Sequence, residues 1–426
     1  MSDNPVKAIG GAAVPTTWSA LEYSVFRSFW VFSFFAFIGA SMQTVGGGWL
    51  MTELDPSPAR VALVQAAFSL SAFAMGLPAG VIADLIDRRW VMLGALGGLM
   101  LFAGILGAVT LSGRITPNAL IILTFFFGLS AAAITPAMQA TMPDLVPREQ
   151  LASALTLNGM NNSVARAVGP ALAGLILGAW GAGWMFVINV FAFIGLFIVI
   201  ALWRDRAMPE RVPGVRFHHA LGEGLRFMAR ERPLRQLLIK MGLNFLMISV
   251  LLALVPSVAA TLLDGRPQTL GLLLAFFGVG SVAGSFILSA LYRHISRSRV
   301  IDLATLSHAI AVVIIGFSSH KYLSAFATFL AGLSWTAIMT SMNIVAQMLL
   351  PARIRARGLS INMVNMMGSL AVGSAVWGVI AESYGLRNAF YMAAIAGLLM
   401  TILTSRFKLL EELESSQADE QAKGAS

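Results

Sequence analysis

The stretch PDLVPREQLASALTLNGMNNSVARAVGPALAGLILGAWG at 143–181 returns as LPARIRARGLSINMVNMMGSLAVGSAVWGVIAESYG at 350–385. The offset is 204: Pro147 falls on Pro351, Leu155 on Leu359, Asn158 on Asn362, Asn161 on Asn365, Gly169 on Gly373, Gly174 on Gly378, Gly181 on Gly385 and Phe186 on Phe390. Upstream, the same offset places Gly76 and Gly80 on Gly280 and Gly284, Phe73 on Phe277, Arg89 on Arg293 and Gln139 on Asn343. A repeat this long, in segments this apolar, predicts two homologous halves related by an axis along the membrane normal, with a substrate site between them.

The composition sets the solvent. With 57% hydrophobic and 12% charged residues in 426, the chain reads as a polytopic membrane protein. A hydrocarbon core of about 30 Å takes about 20 apolar residues as helix. Twelve stretches qualify, near 28–51, 60–83, 90–111, 118–142, 157–179, 184–203, 236–263, 269–292, 300–318, 322–349, 358–382 and 387–405. Alternating ten-residue strands are absent, which excludes a β-barrel. The predicted fold class is therefore an all-α membrane protein of two pseudo-symmetric six-helix bundles.

The net charge of +9 could suggest nucleic acid, but its placement follows topology. Counted from a cytoplasmic N-terminus, 22 of the 29 lysines and arginines fall on the inner side, eight of them between Arg204 and Arg235. Five fall on the outer side: Arg60, Arg114, Arg266, Lys321 and Arg387. Arg166 and Lys240 remain within spans or at their edge. Positive charge stays inside, so both termini are expected in the cytoplasm and no nucleic-acid partner is implied. Zero cysteines remove disulfides and thiolate metal sites, and no metal site or cofactor is expected. The expected division is a cytoplasmic segment 1–27 without a cleavable signal, a first bundle 28–203, a linker 204–235, a second bundle 236–405 and a cytoplasmic tail 406–426. Within the linker, Leu221, Leu225 and Met228 oppose a basic face, the pattern of an amphipathic helix on the inner leaflet.

Three stretches carry function. At the end of the second span, GLPAGVIADLIDRRWVM places Gly80, Asp84, Asp87, Arg88 and Arg89 at a short inner turn. This resembles the signature of the major facilitator superfamily between its second and third helices, G-x-x-x-D-[RK]-x-G-[RK]-[RK]. Gly80, Asp84, Arg88 and Arg89 are kept, while Leu85 and Asp87 depart from it. The resemblance implies a cytoplasmic gate, and Asp84 or Asp87 is expected to meet Arg353, Arg355 or Arg357 of the opposite half.

In the fifth span, Asn158, Asn162 and Arg166 recur every four residues and share one face. An arginine at a helix centre costs about 2.5–3.5 kcal/mol on insertion scales, so it should face protein or a water-filled cavity, or snorkel to the inner surface. Pro170 cannot donate to the Arg166 carbonyl, which frees that oxygen at an expected bend. The run GPALAG, with Gly169, Pro170 and Gly174, resembles the antiporter signature of the fifth helix, which implies export.

From FRSFWVFSFFAFIGASMQTVGGGWLMTEL through TPAMQATMPDLVPREQLASALTLNGMNNSVARAVGPALAG, the chain resembles the bacterial transmembrane secretion effector branch of that superfamily, which includes the enterobactin exporter. The family's central helices are the first, fourth, seventh and tenth. Their uncharged polar residues, Gln43, Thr44, Thr135, Gln139, Asn244, Asn343 and Gln347, are the cavity candidates, joined by Asn158, Asn162, Arg166 and Asn365. His308, in a span that this family places peripherally, reads as a satisfied or lipid-edge histidine.

The expectation is a monomeric, proton-coupled exporter of a small lipophilic or amphipathic molecule, working by alternating access in a bacterial inner membrane. An importer or uniporter with the same fold is the alternative. No carboxylate stands in the centre of the first half, which leaves Asp84, Glu53 or Asp302 as proton carriers, or coupling through substrate charge. Scattered histidines and the lack of a converging His, Asp or Ser constellation speak against an enzyme.

Overall fold

Lipid offers the backbone no hydrogen-bond partner, so a spanning chain must satisfy its own amides. The computed structural model describes residues 17–76, 78, 86–203, 226–228, 230–351 and 354–404, and among these the regular structure is helical throughout. The spans are α1 (Ser24–Leu54), α2 (Pro58–Gly76), α3 (Arg88–Leu111) and α4 (Pro117–Leu145), followed by one continuous run, Leu151–Leu202. That run breaks at Gly181, where φ is 79° and ψ 174°, into α5 (151–180) and α6 (182–202). The second half is α7 (Arg232–Ser257), extended by a π turn at Val258–Leu262, then α8 (Pro267–Leu291), α9 (Arg297–Phe317), α10 (Lys321–Leu349), α11 (Arg355–Tyr384) and α12 (Leu386–Thr404). Gly385, the repeat partner of Gly181, also has positive φ at 91°. Both turns need a residue without Cβ, which explains why glycine stands at each. The amphipathic stretch up to Leu225 and the tail from Ser405 lie outside the described residues.

Since lipid supplies no hydrophobic drive for helix association, small residues let the backbones approach. Within the second bundle, a Cβ on Gly332 of α10 would collide with the Phe277 carbonyl of α8, and one on Gly280 of α8 with the Phe329 carbonyl of α10. The two bundles meet along two seams. On one, a Cβ on Gly174 of α5 would lie 2.9 Å from the Cα of Gly271 of α8, and on the other a Cβ on Gly378 of α11 would lie 2.6 Å from Ala62 of α2. Phe35, Leu101, Ile122, Phe191, Phe286 and Phe317 remain exposed, as a lipid-facing surface requires.

The repeat is less uniform than its offset of 204 suggests. Gly169 and Gly373 keep that offset, but Gly169 packs on Ser41 and the Ile38 carbonyl while Gly373 packs on Ser249 and the Leu246 carbonyl. Matching Ser41 to Ser249 (249 minus 41) gives α1 and α7 a register of 208. Likewise Gly107 meets Gly183 and Val187, and Gly316 meets Arg387 and Tyr391, so α3 and α9 correspond at 316 minus 107, or 209. The match of Arg89, on α3, with Arg293 is thus displaced by about one helical turn from the packing correspondence.

Replacing Gly332 by leucine is expected to lower the thermal midpoint of the purified protein, by overpacking worth about 1–3 kcal/mol or more. Gly94→Leu, at a position with open space around its Cβ, should leave it unchanged. Equal effects would show that these close backbone contacts do not hold the bundle together.

Candidate transport site

Four arginine-bearing turns, at Arg88, Arg148, Arg232 and Arg297, lie at one end of the bundle, called here the basic face. At the opposite face the halves are closed. Gly48 of α1 abuts Pro256 of α7, where an added Cβ would be 2.9 Å from the proline ring. The Ser57 hydroxyl donates to Glu382 Oε2 at 2.7 Å across the seam between α2 and α11. Nearby, Asp264 pairs with Lys321 at 3.3 Å. Burial alone would raise the Asp264 carboxyl, but hydrogen bonds from Thr269 and Lys321 and the Lys321 charge hold it below its ordinary value. Beneath the closure, α1, α2, α4, α7 and α8 enclose a cavity of about 50 Å³, lined by Gln43, Thr44, Gln65 and Thr124 among apolar neighbours. It has room for a few water molecules. The Gln43 Nε2 and the Thr124 hydroxyl have no protein partner.

Toward the basic face the centre opens. Thr135, Gln139 and Gln347 are exposed, and Asn343 is half-buried. On α5, Asn158 and Asn162 are half-buried and Arg166 is exposed, with its Nε donating to Asn162 Oδ1 at 2.9 Å. Arg166 lies on the side of the helix opposite the exposed aliphatics Val164, Val168 and Leu175, so its exposure is to the central cleft and not to lipid. It stands 15 residues from Leu151, roughly 20 Å along the axis, too deep for snorkelling. Its carbonyl, which Pro170 cannot serve, packs against Gly278 of α8, where a Cβ would collide with it. That contact holds the arginine at the seam between the halves.

Other expected site residues bond to neighbouring helices. Asn244 is 1% exposed and turned into the second bundle, where it donates to the Lys240 carbonyl at 2.8 Å and accepts from the Thr305 hydroxyl at 2.8 Å. A side chain so enclosed does not reach the cleft. Asn365 ties α11 to α7 by donating to the Leu238 carbonyl at 2.9 Å. Gln43 accepts from Asn189 Nδ2 at 2.9 Å, and sequence reasoning missed this partner on α6, although a lone asparagine in an apolar span was the available signal. His308 is neither satisfied nor at the lipid edge: it is 4% exposed with both ring nitrogens unpartnered.

At the expected gate, Gly80, Asp84 and Arg353 lie outside the described residues. Asp87 does not meet the opposite half. It caps α3, accepting from the Arg89 amide at 2.9 Å. Arg88 donates to the Ala140 carbonyl at 2.6 Å and pairs with Asp144 at 3.2 Å, and Arg89 Nε donates to the Ile200 carbonyl at 3.0 Å. Both arginines therefore brace α3 against α4 and α6 of their own half.

A family model described as transmembrane secretion effector matches residues 15–424. The chain belongs to that family. It is a membrane transporter of the major facilitator type and not an enzyme. The staphyloferrin A transporter of Staphylococcus aureus is 23% identical over 389 residues, which is 88% of this chain and 94% of that protein. Macrolide efflux protein A of Streptococcus pyogenes is 25% identical over 239 residues, 56% of this chain and 59% of that one. Among solved structures, the nucleoside transporter NupG superposes with a TM-score of 0.77 at 11% identity, covering 90% of this chain and 99% of its own. A bacterial homologue of the iron transporter ferroportin, in an inward-facing state, gives 0.73 at 13% identity, covering 90% and 98%. At such identities the structures establish the shared fold.

The chain has no cysteine, so single cysteines report accessibility directly. Gln139→Cys and Gln347→Cys are expected to react with a membrane-impermeant maleimide applied at the basic face, whereas Gln43→Cys, at a position 2% exposed, should not. Labelling of Gln139→Cys only from the opposite face would contradict this geometry. Asn189→Ala removes the donor to Gln43 Oε1 and should destabilise the protein by about 1–3 kcal/mol, read as a lower thermal midpoint.

Proposed function

We propose that this transporter exports a small lipophilic or amphipathic molecule across a bacterial cytoplasmic membrane, as a monomer, in exchange for protons. The observation that carries the reading is Arg166, a cation in mid-span, open to the cleft and braced by Asn162. Excess positive charge marks the cytoplasmic side, so the basic face is read as cytoplasmic, both termini with it, and the cleft as open inward. An inward-open cleft is where an exporter loads its cargo. The efflux names of relatives, macrolide efflux among them, and the GPALAG run of α5 support the same direction.

In this reading the bundles 28–203 and 236–405 rock about the seams α2–α11 and α5–α8. Arg166 receives an acceptor or anionic group of the cargo, while Thr135, Gln139, Asn158, Asn343 and Gln347 offer neutral hydrogen bonds around it. Gly80 and Asp84 form the cytoplasmic latch that closes when the cleft turns outward, and Arg88 and Arg89 hold α3 in place for it. One proton moved across 100 mV supplies about 2.3 kcal/mol, enough for roughly a fiftyfold gradient.

The test is a paired metabolite profile of cells and medium for a strain lacking the protein, restored with it, or restored with Arg166→Gln or Arg166→Lys. A compound that accumulates inside the deletion strain and leaves only with the intact protein establishes export and identifies the cargo. Arg166→Gln is expected to cut that efflux at least about tenfold, the loss of a charge-assisted contact of 1.5–3 kcal/mol. Unchanged efflux in both variants would remove Arg166 from the site, and a compound left in the medium would make the protein an importer.

A further inference from the structure

The second bundle holds a polar cluster apart from the cleft. Lys240 of α7 is 1% exposed, and its Nζ lies 2.7 Å from Asp302 Oδ1 of α9, whose side chain is 25% exposed. One turn deeper, Asn244 caps the Lys240 carbonyl and accepts from Thr305, so the polar groups run on without a gap. His308 follows on the same face of α9, with both ring nitrogens buried and unpartnered. A neutral imidazole always has one donor and one acceptor to satisfy, and burying both without partners is costly. Asn244, Thr305 and His308 share the wall of a cavity of about 10 Å³, the size that just admits one water molecule.

The scaffold does not demand these groups. At the packing registers of 208 and 209, Lys240 and Asn244 correspond to Phe32 and Ala36 of α1, and Asp302, Thr305 and His308 to Leu93, Leu96 and Leu99 of α3. The first bundle fills the same places with apolar side chains, among them the buried Leu96 and Leu99. Asp302 is the only carboxylate on α7, α9, α10 and α12. The elements around His308 present no other titratable group to its cavity. The remaining cations of the packed elements lie toward the basic face, at Arg232 and Arg235 of α7, Arg297 and Arg299 of α9, and Arg355 and Arg357 of α11, or at the far ends, with Lys321 and Arg387. Glu382 of α11 is also at the far end.

We propose that Asp302, Lys240 and His308 form the proton-binding site of the transporter. The proposal rests on the proton-exchange reading above and places the exchanged proton in the second bundle, apart from the cargo site at Arg166. In the observed arrangement the ammonium and carboxylate cancel. A hydronium proton taken up at Asp302 and passed on by Thr305 and a water that the cavity admits forms a new N–H bond on His308, an O–H bond breaking at each transfer. The product leaves one uncompensated positive charge inside the bundle, which is costly unless the helices rearrange. Proton loading therefore biases the protein away from the arrangement seen here.

The experiment uses the full chain in nanodiscs, with spin labels at Glu149→Cys, in the turn just before α5, and Arg355→Cys, at the start of α11 in the opposite bundle. Lowering the pH from about 8 to about 5 is expected to shift the interlabel distances of the otherwise unaltered protein toward shorter values. His308→Leu, and separately Lys240→Phe with Asp302→Leu, restore the residues of the first bundle. Each should keep the thermal midpoint and lose most of the shift. The single replacement carries the test if the double one fails to fold. Retention of the full shift in His308→Leu and in any folded double variant would place the proton elsewhere and leave proton exchange standing. No shift in the unaltered protein would overturn the site and proton exchange together.

Discussion

Where α5 crosses α8, Gly174 and Gly271 bring two backbones together so closely that a methyl group on either would overlap the other, and the free carbonyl of Arg166 rests against Gly278. In lipid this approach replaces the hydrophobic drive that would bind helices in water. It also decides where the arginine can go. With the backbone of residue 166 held at the seam and the aliphatic side of α5 turned to lipid, the guanidinium has only the cleft to enter. A close contact carried by glycine backbones suits a surface on which two rigid bundles rock.

The two bundles share a fold and divide the polar work. The first contributes the mid-span cation and its asparagine ladder, while its α1–α3 interior is packed with Ala36, Leu96 and Leu99. The second leaves its cleft-facing helices largely uncharged and keeps its ionisable groups inside, in Lys240, Asp302 and His308. A charge buried in one bundle and a charge displayed by the other can be coupled without contact, since both respond to the same change of arrangement.

Much of this was legible in the sequence. Twelve spans and two halves followed from hydropathy and the repeat, and the turn glycines Gly181 and Gly385 were visible as repeat partners. That Arg166 shares a helix face with Asn158 and Asn162 followed from their four-residue spacing. The register was not legible, because a single offset of 204 cannot represent first-half helices displaced by four or five residues relative to their counterparts. For the same reason Asn244 passed as a cavity residue: a helix wheel marks a polar position, but only the packing of α7 on α9 shows which neighbour it faces. Lys240 and Asp302 were each noticed alone. Their pairing is a tertiary fact, although a lysine within one span and a carboxylate near the matching end of another were a hint. His308 differed from expectation because its helix is buried by α7, α10 and α12 on that side.

The central claim is that the cleft is loaded from the cytoplasm and emptied outward at the expense of a proton gradient. The most direct measurement is net flux of the identified cargo in everted membrane vesicles energised to an acidic interior. The account predicts uptake into these vesicles against the cargo gradient, abolished by a protonophore. Accumulation instead in right-side-out vesicles, or uptake that never exceeds equilibrium and ignores the protonophore, would contradict it.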